Sequence, residues 1–438
     1  MCVLGITLRT EHRGVTSIIR ALGLQEKCYG NLLNAFHSAS VDLALLSKLW
    51  TQAVLNQMPG VLKEHGRLLV VVDGIKVAKQ GKKMPAVKCL HQESDSNTKA
   101  EFIMGHSQQA VSLLVKANES ILAVPLATRI HEGIVLSNRD RRTLPDKMLT
   151  LLKELEITQP LYCIADAYYC SHKIISGLLK DQNHLITRAK TTAVAYRQPR
   201  KTNAKRKGRR RIYGEKVLLR SLFSEDQQMV EAPSPVYGEK NITVYYREVD
   251  LIWKPAGRLV RFVIIIHPVR GRCILMSTDT SLSGLEIVRL YGLRFKIELA
   301  FKHAVHVIGT FDYHFWMKDM KPLKRRNGNQ YLHRTDEKYR ESVKRKIHAY
   351  HLHIAAGTIA QGLLQILAAR QSELVWQSFG SWLRTIRPSV APSEWVVAMA
   401  LRNTFAQFLA DSAGRQVLAK FICERQHPIR SSIFALAS

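Results

Sequence analysis

"RLLVVVDG", residues 67–74, is an unbroken apolar run that stops at an aspartate and a glycine. A short valine-rich run with no polar residue alternating through it is the pattern of a strand buried on both faces. Its end matters, because a rigid strand holds a carboxylate where a loop would let it wander. "PLYCIAD", residues 160–166, repeats the pattern and closes on Asp166. "SHKIISGLLKDQ" then gives a short helix and "HLITRAK" another strand, so Asp166 sits in a strand, helix, strand unit. Working outward from these two strands, the reading is an α/β layer.

Further strands are expected at 110–117, "AVSLLVKA", and 121–130, "ILAVPLATRI". "IKVAKQGKKMPAVKC" suggests a hairpin turning near Gly81. A helix at 145–156 carries its proline in the first turn. Residues 1–60 repeat apolar residues at steps of three and four, as a small helical DNA-binding unit would. Strand patterns return over 212–280, which predicts a β-rich insertion or side domain. Ser283 and Glu286 have capping-box spacing, which predicts one helix from Gly284 toward Ile308 with a kink at Gly292. A long helix over 336–369 and another after Ser393 close the chain.

The formal charge of +30 and pI near 10.0 make the compact state repel itself, a cost relieved when a polyanion covers the surface. Nucleic acid is the first partner to expect. Residues 197–211, "RQPRKTNAKRKGRRR", hold nine lysines or arginines and no acid, so Lys205, Arg206, Lys207, Arg209, Arg210 and Arg211 are expected to contact phosphates from a solvated linker. A hydrophobic fraction of 46% excludes wholesale disorder. No stretch of 18 uninterrupted apolar residues exists, so "IAAGTIAQGLLQILAA" reads as a buried helix and no membrane partner is expected. The opening residues lack a secretory apolar core, and the seven cysteines form no CxxC pair, as expected of a chain in a reducing compartment. His348, His351 and His353 lie close together, but no local residue completes a zinc set.

"YGLRFKIELAFK", residues 291–302, puts Tyr291, Arg294, Glu298 and Lys302 on one helix face, with Lys296 and His303 off it. Alone, such a stripe is equally an ordinary surface network, each pair worth roughly 0.2–0.5 kcal/mol. It gains meaning beside the two strand-end aspartates. Phosphoryl transfer by two metals needs carboxylates converging on cations roughly 3.5–4 Å apart, and hard oxygen ligands select magnesium or manganese. Glu298 on a helix laid across the sheet edge supplies a third ligand to Asp73 and Asp166. Asp279 also ends a strand pattern, "CILMSTD", and is the rival.

The "VVVDG", "YCIADAYY" and YxxRxxxE elements, in this order and with a β-rich stretch before the last, resemble the DDE transposases of bacterial insertion sequences, over roughly residues 65–310. The resemblance is to the cut-and-paste branch with a tyrosine-arginine-glutamate-lysine motif. It implies an RNase H-like mixed sheet with flanking helices, interrupted by the β-rich insertion. It further implies Asp73, Asp166 and Glu298 as the catalytic, metal-binding triad, two Mg2+ per active site with Mn2+ able to substitute, Arg294 on a DNA phosphate and Tyr291 shaping the same pocket. The motif's lysine is expected seven residues after the glutamate, where Val305 stands; Lys302, one turn closer, is the substitute. The partners implied are double-stranded DNA, as element ends and target, and a second protomer in a synaptic homodimer, in the nucleoid of a prokaryotic cytoplasm. The expected division is a helical DNA-binding region at 1–64, the first part of the core at 65–196, a basic linker at 197–211, the insertion at 212–280, the catalytic helix at 281–320 and a helical region at 321–438. The rival function is a DNA-binding protein without chemistry on the same scaffold.

Overall fold

The computed structural model describes residues 1–11, 14–92, 100–199, 211–224, 229–381, 386–412 and 414–428. Four helices come first, α1 (Cys2–Leu8), α2 (Gly14–Leu22), α3 (Lys27–His37) and α4 (Leu43–Gln57). Asp42 caps α4 by accepting the Ala44 and Leu45 amides. The sheet strands follow: β1 (Lys63–Glu64), β2 (Arg67–Ala78), β3 (Lys88–His91), β4 (Phe102–Ala117), β5 (Ser120–Ile130) and the short β6 (Ile134–Val135). Next come α5 (Leu144–Glu154), β7 (Leu161–Ala165), α6 (His172–Lys180) and β8 (His184–Ala189).

The order β5, β4, β2, β7, β8 frames the core. β4 is antiparallel to β5 and β2, whereas β2, β7 and β8 run parallel. That mixed sheet with helices on its faces is an RNase H-like core. The sequence-predicted hairpin near Gly81 does not form: β2 and β3 do not pair with each other, and both pair with β4. β2 needs the long β4 as its partner because its apolar half continues past Asp73 into Ile75 and Val77.

The β-rich stretch comprises β9 (Val194–Tyr196), β10 (Lys216–Leu218), β11 (Val230–Pro233), β12 (Thr243–Trp253), β13 (Arg258–His267) and β14 (Gly271–Ser277). β14 pairs with β8, and β13 and β12 extend the sheet beyond it, so this stretch widens the core sheet. β9 and β10 pair antiparallel and bring the two ends of the basic run together. Lys205, Arg206, Lys207, Arg209 and Arg210 lie outside the described residues, and Arg211 is exposed.

The expected single helix after Ser283 is two, α7 (Gly284–Gly292) and α8 (Phe295–His303). The capping box does open α7: the Ser283 hydroxyl accepts the Glu286 amide and the Glu286 carboxylate accepts the Ser283 amide. The break follows from a tightened turn, in which the Leu293 and Arg294 amides bond back to Leu290 and Tyr291. After α8 the chain passes a short π turn to Gly309, whose φ of 65° is the left-handed stop a glycine supplies.

β15 (Gln330–Tyr331) pairs with β6, and α9 (Glu337–Arg370), α10 (Ser372–Phe379), α11 (Glu394–Ser412) and α12 (Val417–Cys423) complete the chain. α9 alone among the described helices is long and apolar enough to cross a membrane, yet 78% of its apolar window is buried, as in a core helix. The helical regions at the two ends of the chain share one core: Ile6, Ile18 and Phe36 pack with Tyr350, Ile354, Val396 and Ile422. Burial by both ends makes this one body.

Candidate active site

Strand register assembles the site. Val71 pairs with Ile164, so two residues further along each parallel strand Asp73 stands beside Asp166. Ala165 pairs with Thr187, so one residue on, Asp166 stands beside Arg188. The three form a row across adjacent strands, spaced about 4.8 Å apart. Side chains alternate along a strand, so the row shares the face of Val71, Ile164 and Ile186. That face is the one covered by α7 and α8 through Ile287, Leu290, Leu293 and Ile297. Backbone bonds fix the strand ends: the Asp166 carboxylate accepts the Tyr168 amide at 3.0 Å, and its carbonyl accepts the Thr187 hydroxyl at 2.7 Å.

α8 brings the third carboxylate to the row by way of an arginine. Arg294 donates to Asp73 Oδ2 at 2.8 Å and to Glu298 Oε1 at 2.5 Å. Asp73 also accepts the Gly74 amide at 2.7 Å. Burial is the main force pushing the Asp73 carboxyl up to about 6; Arg294 and the Gly74 amide oppose it, and the charges of Asp166 and Glu298 add to it. The three carboxylates therefore share one electrostatic site. Their oxygens are not gathered on a common point: Arg294 holds Glu298, which is 55% exposed, while Asp73 is mostly buried. Burial works against the Arg294 charge, but Asp73, Tyr291 and Glu298 outweigh it and raise its pKa.

Tyr291 is held neutral, chiefly by burial, with Arg294 and Arg188 pulling its pKa down and Asp166 pushing it up. Sequence reasoning missed Arg188. The available signal was a single exposed cation in an otherwise apolar strand next to that of Asp166. Lys302 is exposed one turn beyond Glu298, and Val305 packs against the core. Lys296 is buried over the Tyr237 ring at 4.0 Å, and desolvation lowers its pKa to about 8.

Two neighbouring residues have structural partners. His303, expected only to lie off the face, bonds through Nδ1 to Glu394 Oε2 at 2.6 Å, and Gln361 and Gln365 donate to the same carboxylate. Gln361 also donates to the Ala300 carbonyl of α8 at 2.9 Å, so a buried polar network ties the helix of Glu298 to α9 and α11. Asp279 lies at the other end of the sheet. β14 runs antiparallel to β8, which brings Asp279 toward His184 at the start of that strand, where it accepts the Tyr162 hydroxyl at 2.6 Å and the Ser281 amide at 2.9 Å.

The three histidines of α9 do not converge: His351 accepts the Ile130 amide and His353 faces the Thr310 carbonyl. Among the described residues, Glu64, His65 and Glu286 do bring ligand atoms within 4.8 Å of one another, but Arg289 already binds Glu64 and Ser283 holds Glu286. No curated protein matches the chain. The family model of the transposase DDE domain matches residues 123–307, a span that takes in Asp166, Arg188, Tyr291, Arg294 and Glu298 and supports a DDE transposase.

Proposed function

We propose that this chain is a transposase that cuts DNA at the ends of its element and transfers the freed ends into target DNA with the help of divalent metal. The observation that carries the reading is that strand register sets Asp73 beside Asp166 while Arg294 draws Glu298 into the same charge cluster. The donor set fits the metal: three hard carboxylates suit Mg2+ or Mn2+. The Asp73 carboxyl is raised chiefly by burial, with Asp166 and Glu298 adding to the shift, so the three carboxylates sense one another.

Asp73, Asp166 and Glu298 would hold two such ions, whose chemistry is to activate the attacking oxygen and stabilise the leaving one. The protein's own groups do the rest. Arg294, once released from the carboxylates, offers its planar fork to a phosphate. Lys302 adds a cation one turn beyond Glu298, and the neutral Tyr291 hydroxyl would be a hydrogen-bond donor to the DNA. The partners are double-stranded element ends and target DNA, brought together by a homodimer in a prokaryotic nucleoid.

The test separates binding from chemistry. Asp73→Ala, Asp166→Ala and Glu298→Gln should each abolish metal-dependent nicking of end DNA while gel-shift affinity stays within several-fold, because a lost ligand leaves the positive surface intact. Asp279→Asn should keep much of the activity. A dead Asp279 variant beside an active Glu298 variant, both folded, would show the third ligand misassigned. Wild-type binding without nicking would favour the DNA-binding protein that does no chemistry.

A further inference from the structure

The chain leaving α8 runs extended across the surface. From 311 to 318 burial alternates: Phe311, Tyr313, Phe315 and Met317 are buried, while His314, Trp316 and Lys318 are exposed. The inward set is tightly fixed. The Tyr313 ring stacks on Tyr350 at 4.7 Å, its hydroxyl meets His106 Nδ1 at 2.7 Å, and the Lys79 ammonium lies 3.7 Å from its centre. The Met317 amide bonds to the Lys83 carbonyl and the Leu323 amide to the Lys82 carbonyl, so two passes of the chain flank one basic dipeptide. A Cβ on Gly81 would lie 2.8 Å from Trp316 Nε1, so the glycine makes room for the indole edge. Trp316 is thus rigidly mounted and still 62% exposed.

Its neighbours decide the partner. Lys318, Lys321, Lys324, Arg325 and Arg326 follow it closely in the chain, Lys83 donates to the Lys318 carbonyl at 2.9 Å, and Asp319 is the one acid between 313 and 328. A protein-docking core gathers several apolar residues and is depleted in lysine. An isolated indole among cations suits a polyanion that has flat aromatic faces. A duplex hides those faces except at its ends.

We propose that this platform binds DNA that has left the double helix, the lysines on phosphates and Trp316 stacked on an unpaired base. The inference rests on the proposed function in taking DNA as the substrate. Six residues, about 20 Å at the rise of a strand, separate Asp73 from Lys79, which lies buried beneath the 311–318 segment against Tyr313. A strand cut at the carboxylates reaches that segment with about six nucleotides at ~3.4 Å each.

The test is fluorescence anisotropy with the full chain in EDTA, using a labelled random-sequence blunt duplex and the same duplex with a single-stranded tail of about ten nucleotides. Wild type should prefer the tailed probe. Trp316→Ala should lose at least about fivefold on the tailed probe and little on the blunt one, and Trp316→Phe should retain most of the preference. Replacing Lys318, Lys321 and Lys324 by glutamine should weaken both probes and flatten the salt slope by about one unit per lysine. No preference in wild type, or a Trp316→Ala variant that binds as wild type or loses equally on both probes, overturns the platform. So does a Trp316→Ala change in oligomeric state with DNA binding intact, which would mark a protein interface. Tail preference in a wild type that never cuts DNA would leave the platform standing and sink the enzyme reading. Cutting without the preference would do the reverse.

Discussion

Arg294 occupies the position of a charge that the carboxylates need. By donating to Asp73 and Glu298 together it offsets part of their charge and occupies their oxygens, so a divalent cation must compete with it. Arg294→Ala should therefore tighten Mn2+ binding, measured calorimetrically, while lowering the cleavage rate by at least about tenfold through loss of the phosphate contact. Weaker metal binding would show that Arg294 only buttresses the ligands. Protons compete at the same place. The folded Asp73 carboxyl, pushed up to about 6 mainly by burial, keeps a proton that the unfolded chain has already released. The stability this group contributes is complete below the ordinary aspartate range and is lost as pH rises through about 6. A cation prefers the ionised form, so the melting-temperature gain on adding Mn2+ should be small near about pH 5 and reach a plateau above about pH 7. Asp73→Asn should flatten that curve.

At the scale of elements, the helix of Glu298 depends on a buried anchor. The hydrogen bond that His303 donates to Glu394 raises the His303 pKa, against burial and the Lys302 charge, and holds Glu394 low in spite of its burial. Stability from the histidine is present below its ordinary pKa and lost as pH climbs through the raised value. Stability from the glutamate is present above its ordinary pKa and lost as pH falls through the lowered one. The pair is intact between these limits, with Gln361 and Gln365 of α9 completing the shell. His303→Ala should cost on the order of 2 kcal/mol near neutral pH by urea denaturation, with the deficit shrinking toward both ends of that range. A deficit independent of pH would reduce the contact to packing.

What was legible in the sequence follows the range of the interactions. Asp73 and Asp166 could be found because a strand buried on both faces writes itself as an unbroken apolar run. The α7 cap could be read because its partners are three residues apart. The break between α7 and α8 falls where the kink at Gly292 was expected, whereas the partner of β3 and the Glu394 anchor could not be read, since each is decided by contacts between distant segments. His303 showed only its place off the Glu298 face for that reason.

Across the whole molecule, the charge of +30 favours a polyanionic partner. The basic run at 197–211 leaves and re-enters the sheet through paired β9 and β10, at the end away from β4 and β5. Neutralising Lys205, Arg206, Lys207, Arg209, Arg210 and Arg211 should weaken specific and random DNA alike and flatten the dependence of log affinity on log salt. An unchanged slope would make the run a spacer.

The Glu394 anchor also bears on the order in which the chain is made. Asp73, Asp166 and Glu298 all emerge from the ribosome before α11, and until Glu394 arrives the network that joins His303 of α8 to Gln361 and Gln365 of α9 is incomplete. A nascent chain, or a product truncated ahead of residue 394, would carry Asp73 and Asp166 on their strands but Glu298 on a helix that lacks its Glu394 anchor. Cutting would then wait for synthesis to finish, and shortened products of the same reading frame would occupy DNA without breaking it.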